Sequence, residues 1–460
     1  MFGFVTSVRA VEDTFMHTAV TASGRYVVIA ESKFKPGTVI EFSGTECKID
    51  EDTIEVRAKS VKEASGKSLA SEKEKIDSFI KSNCVPLKAK PLIDDAVIRK
   101  MSKTFDKAAA MIMEAAFLRR PIIIRYDTDS DGLCAGLAIY EALLDSYNLK
   151  ADEAMFPYYK KLNAEDDIRY FNSLEAEHLP PLLICVDFGA NPESRQGYET
   201  VRAAGFSIIV IDHHPMHDPT VRELIDILVS GIDAAPFDRV IHYTSGLLAV
   251  EVAKRIKKLD IDWMARVAMA GDRSALIVPT AKEQRHSEAL MFALSTSKYK
   301  RDLNSFLRLV KDEEEMDFAY AQAEERIQTV IENLPASTKK KTVNGVVFFI
   351  VDASKLLSKG EYPSKASIAN IAMDALLPHL SEPAVLISWA GRGLSMRVNK
   401  LGLEAGLNSS AAIKVLKASM PDSIEAGGGH PVSSAMRMKV GESRKVVDAL
   451  IKEISSQRKA

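Results

Sequence analysis

Three nearly unbroken apolar runs constrain this chain more than any other feature: "PIIIRY" at 121–126, "PLLICV" at 181–186 and "FSIIVI" at 206–211. Runs without polar alternation suit strands buried on both faces, which is the mark of a parallel sheet. Around them lie stretches of helical period, "LCAGLAIYEALLDSY", "RQGYETVRAAG" and "SGLLAVEVAKRIKKL". The pattern predicts a doubly wound α/β domain, in which ligands gather beyond the carboxyl ends of the strands.

Each run closes on acid or imidazole. Asp127, Asp129 and Asp131 follow the first, Asp187 the second, and Asp212, His213 and His214 the third. A further carboxylate, Asp272 in "RVAMAGDRSA", follows an apolar helix and can reach the same edge. Carboxylates so close raise one another's pKa and call for a compensating cation. Oxygen donors with some imidazole and no thiolate favour Mn²⁺ or Mg²⁺ over a structural zinc. Each piece alone has a plainer reading. D-x-D-x-D-G is a calcium loop lacking its closing Glu, a strand-end Asp caps helices, and a His-His pair occurs on surfaces or in cores. Together, on successive strands, they point to a metal centre.

With 460 residues, 46% hydrophobic and 27% charged, the chain has material for large cores. Roughly two to four domains are expected. Lys and Arg, 61 in all, nearly balance 63 Asp and Glu, so the net charge of −2 excludes a global basic field toward nucleic acid or membrane. Cys47, Cys84, Cys134 and Cys185 form no C-x-x-C pair, which argues against a disulfide scaffold or thiolate zinc site; reduced, buried thiols are expected. The N-terminus lacks the pattern of a secretory signal, and no run reaches the roughly 18 apolar residues of a membrane span. A cytoplasmic protein without a membrane partner is expected.

Residues 1–60 read as short alternating strands punctuated by Gly24, Gly37 and Gly44, the pattern of a small β-barrel. Residues 61–110 begin with a lysine-rich stretch, expected as a solvated linker with one helix, and continue into a helix whose buried face carries Val97, Ile98, Met101, Phe105 and Ile112. The main α/β domain then occupies 111–335, including a helical stretch at about 280–334. "PASTKKKTVNG" is expected to be a linker, and 343–460 a smaller α/β domain. There "GGGH" offers backbone N–H groups suited to an anion, with Gly428, Gly429 and His430 as candidates. In "RGLSMRVN", Ser395 and Arg397 share one strand face, and Arg392 lies in the preceding turn. Phe2, Phe4, Phe15, Tyr26, Phe34 and Phe42 are available in the barrel for stacking on single strands, although most should be core.

"DTDSDG", "VDFGAN", "IDHHP" and "AGDRSA", followed by "GGGHP", resemble the ordered motifs of the DHH phosphoesterase superfamily. "RPIIIRYDTDSDG" is especially similar to the archaeal RecJ-like nucleases, relatives of GINS-associated and helicase-associated nucleases. The resemblance covers about 110–440, most of the chain. It implies a DHH catalytic domain at 111–335, a DHH-associated, substrate-binding domain at 343–460 and, by analogy with OB folds in the family, an OB-like character for the β-barrel at 1–60. It also implies two divalent ions, usually Mn²⁺, and hydrolysis of phosphodiesters. Residue by residue, it implies that Asp129, Asp131, Asp187, His213 and Asp272 bind metal, with Asp187 bridging. His214 either donates a proton or hydrogen bond or orients His213. Some branches carry a histidine where this chain has Arg125; Asp127 either supplies the missing ligand or hydrogen-bonds its own loop. Ser395, Arg397, Gly428, Gly429 and His430 become expected substrate contacts, lining a cleft between the two domains.

The leading expectation is an exonuclease acting on single-stranded DNA or RNA in replication or repair, with GINS, a replicative helicase or a repair helicase as partner. The alternatives are a replisome component bridging helicase and GINS with little catalysis, and a phosphodiesterase for short oligonucleotides or cyclic dinucleotides. Polarity, DNA against RNA preference and oligomeric state stay open in the sequence.

Overall fold

The computed structural model describes residues 1–50, 53–66, 68–146, 148–153, 158–216, 218–296, 302–357, 362–364, 367–378 and 380–458. The chain divides into two compact units, one of Met1–Leu290 with Lys300–Glu313, the other of Met291–Tyr299 with Glu314–Ala460.

The first unit opens with β1 (Phe2–Val11), β2 (Thr14–Val20), β3 (Arg25–Ala30), β4 (Val39–Lys48) and β5 (Thr53–Glu63). Their pairings close into a ring, β1 to β2 to β3 to β5 to β4 and back to β1, with β3 and β5 parallel and the rest antiparallel. Alternate residues fill its interior: Val5, Ala19, Val28, Ile40 and Val56, with the rings of Tyr26 and Phe42 edge to face. Phe34 packs against this cluster, and Phe2 and Phe4 against a neighbouring one, so five of the six candidate stacking aromatics serve packing. Cys47 is exposed, contrary to the expectation of four buried thiols, because β4 runs beyond the core there.

The lysine-rich stretch holds α1 (Ser68–Asn83). It is not merely a solvated linker: Ile76 and Ile80 are buried with Val20, Val39 and Leu118. Helix α2 (Ala96–Phe117) starts where the Asp95 carboxylate accepts the N–H groups of Val97 and Ile98. Its buried face carries the expected Val97, Ile98, Met101, Phe105 and Ile112.

Strand β6 (Ile122–Tyr126) then leads into α3 (Ser130–Ala142) and β7 (Leu149–Glu153). After α4 (Lys161–Asn172) and β8 (Glu177–His178), which pairs with β1, come β9 (Leu182–Val186), α5 (Arg195–Ala203) and β10 (Ser207–Ile211). Helix α6 (Pro219–Arg222), β11 (Ile227–Val229), α7 (Phe237–Val240), α8 (Ser245–Ile256) and α9 (Asp262–Gly271) follow. The sheet order is β11-β10-β9-β6-β7, all parallel. Every residue of β6 and β9 is buried, as nearly unbroken apolar runs suggest, Arg125 of β6 being the one charged residue among them. Strand order reverses between β6 and β9, the switch point at which such sheets bind ligands. Register does the rest. Tyr126 pairs with Val186 and Val186 with Ile211, so Asp127, Asp187 and Asp212 emerge side by side from one edge.

The helical stretch resolves into α10 (Ala281–Ser295), α11 (Leu303–Leu309) and α12 (Glu313–Ser337); residues 297–301 lie outside the described residues. In the second unit the expected linker is instead β12 (Thr338–Val343), an edge strand paired antiparallel with β13 (Val346–Asp352). Its lysines, Lys339, Lys340 and Lys341, suit an exposed edge, where charge discourages pairing with another chain. Then come α13 (Ile368–Leu376), β14 (Ala384–Ala390), β15 (Gly393–Val398), α14 (Lys400–Glu404), α15 (Ser409–Ser419), β16 (Ile424–Gly429), β17 (Ser433–Met438) and α16 (Ser443–Gln457). They complete a mixed sheet of order β12-β13-β14-β15-β17-β16 over an apolar core that includes Val446, Leu450 and Ile454 of α16.

Among the described residues, no helix is long and apolar enough to cross a membrane.

Candidate metal centre

Beyond β6 the chain turns at once into α3, and the three aspartates take different tasks. Asp129 is the N-cap, accepting the Gly132 N–H at 2.9 Å. Asp127 accepts the Thr128 N–H at 2.8 Å. The turn is tight: a Cβ on Gly132 would lie 2.6 Å from the Asp127 carbonyl oxygen, so only glycine fits. Asp131 lies in the first turn of α3, fully buried, its two oxygens accepting the N–H groups of Ser245 at 2.9 Å and Gly246 at 2.6 Å. Those N–H groups open α8, so a helix N-terminus faces the carboxylate and favours its charged form.

Asp187, just past β9, is buried and sits at φ 65°, a left-handed conformation that Asp tolerates better than most side chains. Ser245 Oγ donates to Asp187 Oδ1 at 2.9 Å. His213 Nδ1 lies 2.9 Å from the Ile241 carbonyl, which can only accept, so Nδ1 carries the proton and Nε2 presents a lone pair. That lone pair meets oxygens of Asp272, Asp187 and Asp131 at 3.3, 3.5 and 3.8 Å. A lone pair facing three carboxylates is repulsive unless a cation or a proton lies between them.

Electrostatics says the same. Burial first, then the neighbouring acids, push Asp187 and Asp272 well above the usual carboxylate range. Burial also raises Asp131, and burial with Asp129 raises Asp127 to about 7. Burial, then His214, lowers His213 and favours its neutral form. Asp212 behaves differently. Burial opposes its ionisation, but His214 outweighs burial and holds it below its ordinary value. The pair is close, His214 Nδ1 to Asp212 Oδ1 at 2.8 Å, and the other Asp212 oxygen accepts the Ala190 N–H at 3.0 Å. Burial opposes the charge on His214 too, but Asp212 raises it to about 10.

The acids and histidines combine into groups whose ligand atoms lie within 4.8 Å of one another: Asp131 with His213 and Asp272, Asp127 with Asp129 and Asp187, and Asp187 with His213 and His214. The first two groups share no residue. Asp187 and His213 join them, since each belongs to one and both to the third. Asp212, expected among the ligands, lies outside all three, because its oxygens already serve His214 and the Ala190 N–H. The donor set, oxygens with one neutral imidazole, suits Mn²⁺ or Mg²⁺.

Sequence reasoning missed Ser245, Gly246 and Ile241. Thr244 caps α8, its hydroxyl accepting the Leu247 N–H, but nothing in the sequence indicated that this helix start would meet Asp131. Ser245→Ala removes only the hydroxyl and leaves both backbone donors. Metal affinity, measured by calorimetry, should weaken by about 10- to 100-fold, with little change in fold.

Arg125 takes no part in the centre. Only 2% exposed, it donates through Nε to Asp167 at 3.1 Å and through Nη2 to Asp166 at 2.6 Å. Asp167 also receives the Tyr159 hydroxyl at 2.7 Å and lies 3.4 Å from Lys150 Nζ. The arginine thus ties β6 to α4, leaving Asp127 as the acid at this end of the strand.

In the second unit, Ser395 and Arg397 share one face of β15, as expected, with Ser395 opposite the buried Ser388. Arg397 Nε donates to Asn370 Oδ1 at 2.7 Å. Gly428 and Gly429 end β16 opposite Ala435 and Ser434, and His430 opens the turn to β17. Arg392 is in the turn before β15 and pairs with Glu425. The glycines are therefore strand residues, and a Cβ on Gly428 would meet nothing within 4 Å.

Residues 121–271 match the model for the DHH family, N-terminal domain. An uncharacterized protein of Methanocaldococcus jannaschii is 22% identical over 494 residues, an alignment covering 93% of this chain and 64% of that protein. The chain thus spans less than two thirds of that relative's length. Among solved structures, the DHH domain of a member of the s1p family of ribosomal proteins has a TM-score of 0.75 at 23% identity, over 85% of this chain and 99% of that one. RecJ of Thermus thermophilus, solved in complex with Mn²⁺, has a TM-score of 0.53 at 16% identity, over 82% of this chain and 56% of that one. Both establish a shared fold. Residues 121–271, the stretch that matches the model for the DHH family, N-terminal domain, carry every acid of this centre but Asp272.

Proposed function

We propose that this chain is a RecJ-like, metal-dependent phosphodiesterase, an exonuclease that degrades single-stranded DNA or RNA in replication or repair. One observation carries the reading: two ligand groups without a common residue, Asp131–His213–Asp272 and Asp127–Asp129–Asp187, adjoin at Asp187 and His213, 3.5 Å apart. Such a pair of sites suits two divalent cations, which when bound supply Lewis acidity toward a phosphoryl oxygen and lower the pKa of an attacking water. Asp187, placed against both groups, would fix their separation, with Ser245 and the α8 N-terminus orienting the acids. His214, 49% exposed and held by Asp212, would keep its proton and present Nε2–H to a phosphate or leaving oxygen. No covalent nucleophile is required. Ser395, Arg397, Gly428, Gly429 and His430 would supply further phosphate contacts.

Digestion of end-labelled single-stranded DNA and RNA of about 20 nucleotides, beside a dinucleotide, tests the reading. Cleavage of the longer strands with Mn²⁺ or Mg²⁺, abolished by chelator, is the expected result. Preference for the dinucleotide would make the chain a short-oligonucleotide phosphodiesterase instead. No cleavage with any metal, together with co-purification with GINS or a helicase, would make it a bridging component.

A further inference from the structure

We propose that a basic and apolar groove in the first unit docks an acidic, leucine-like segment of a partner protein. The groove, about 650 Å³, is walled by residues 87–92 on one side and by Lys254, Lys258, Leu259 and Asp262 on the other. No residue of the metal centre lines it.

Its wall is preformed. The Leu87 N–H donates to the Arg255 carbonyl at 2.8 Å, the Leu92 N–H to Glu251 Oε1 at 2.9 Å, and Lys254 Nζ to the Lys90 carbonyl at 2.7 Å. These bonds staple an extended segment to the C-terminal half of α8, so little ordering cost remains for an incoming ligand. Lys254 is already paired with Asp262 at 2.7 Å. Among the described residues, no carboxylate pairs with Lys88, Lys90 or Lys258. In a chain of net charge −2, three such cations around one groove make a local field for an anion.

The lining decides which anion. Leu87 is 43% exposed, Leu92 and Leu259 are half-buried, and Val85 stands 62% exposed beside the wall. Single-stranded nucleic acid is held by aromatic platforms along a basic track, and among the described residues this groove is lined by no aromatic side chain. A small anion would leave the leucines unused. A peptide alternating Asp or Glu with Leu, Ile or Phe uses both features, apolar contacts for affinity and lysines for orientation.

Selection of a random-peptide phage library on the full chain tests the proposal, with the Lys88→Glu/Lys90→Glu/Lys258→Glu chain as counter-target. Acidic peptides bearing apolar side chains are expected to be enriched. A synthetic copy should bind wild type at least about tenfold more tightly than the triple variant, and more weakly as salt rises. Leu87→Ser, which keeps every charge, should also weaken it. Both variants should keep the wild-type circular dichroism spectrum and metal-dependent melting shift, because the groove lies outside the metal centre. The proposal is overturned if no such peptide is enriched, or if the enriched peptides bind the variants as tightly as wild type. It is equally overturned if a labelled single-stranded oligonucleotide, and no peptide, loses affinity for the triple variant.

Discussion

Asp187→Asn should abolish phosphodiester cleavage while making the metal-free protein more stable. Asp187 is 2% exposed, surrounded by Asp131, Asp129, Asp272 and Asp127, and raised well above the usual carboxylate range first by burial and then by those acids. Removing its charge relieves repulsion, a stabilisation of roughly 1 kcal/mol or about 2–4 °C in melting midpoint for a unit of this size. Asparagine accepts the φ of 65° at this position, so no backbone strain offsets the gain. Alanine would lack that tolerance. The same change removes the carboxylate that, with His213, joins the two groups, and a loss of at least about 10³-fold in rate is expected, equivalent to about 4 kcal/mol in the barrier. Melting in chelator and in Mn²⁺ checks both parts: wild type should gain several degrees with the ion, the variant much less. A metal-free variant that melts below wild type would mean that Asp187 is a structural acid.

Arg125→Met should give the largest loss of stability at any single position near the sheet. Asp167 is fully buried, and without the arginine, among the described residues, Lys150 and the Tyr159 hydroxyl remain to it. Stranding one member of a buried pair costs about 3–5 kcal/mol. Lys150 offsets part of this, so about 3 kcal/mol is expected, a drop in melting midpoint of about 10 °C. Arg125→Met/Asp167→Asn should recover most of the loss, since replacing both partners leaves no unpaired charge. The proposed activity of the folded protein at low temperature should change little, because Arg125 contacts acids on α4 and β7 rather than the centre. A large fall in activity without a fall in stability would place Arg125 in the chemistry.

The row of Asp127, Asp187 and Asp212 was legible because each follows an apolar run, and parallel register brings the three run ends side by side. Asp212 shows the limit of that logic. It emerges in the row, yet whether an acid faces an ion or a neighbouring imidazole depends on side-chain geometry, and here His214 and the Ala190 N–H claim its oxygens. Ser245 and Gly246 reach Asp131 across more than 110 residues through backbone N–H groups, which every residue but proline carries and no sequence pattern marks. Arg125 read as a departure from a ligand pattern because some branches of the resembled family carry a histidine there; its pairing with acids on α4 and β7 depends on side-chain geometry that the sequence does not mark. Strand β12 read as a linker for a related reason: an edge strand is solvated, and its lysines carry the same signal as a loop.

Anomalous diffraction at the manganese edge, from crystals grown with Mn²⁺, reads the arrangement of the centre directly. Two peaks about 3.5–4 Å apart are expected, one beside Asp131, His213 and Asp272, the other beside Asp127, Asp129 and Asp187. Density for no ion at this edge of the sheet, or for an ion bound away from both groups, would contradict the two-cation centre.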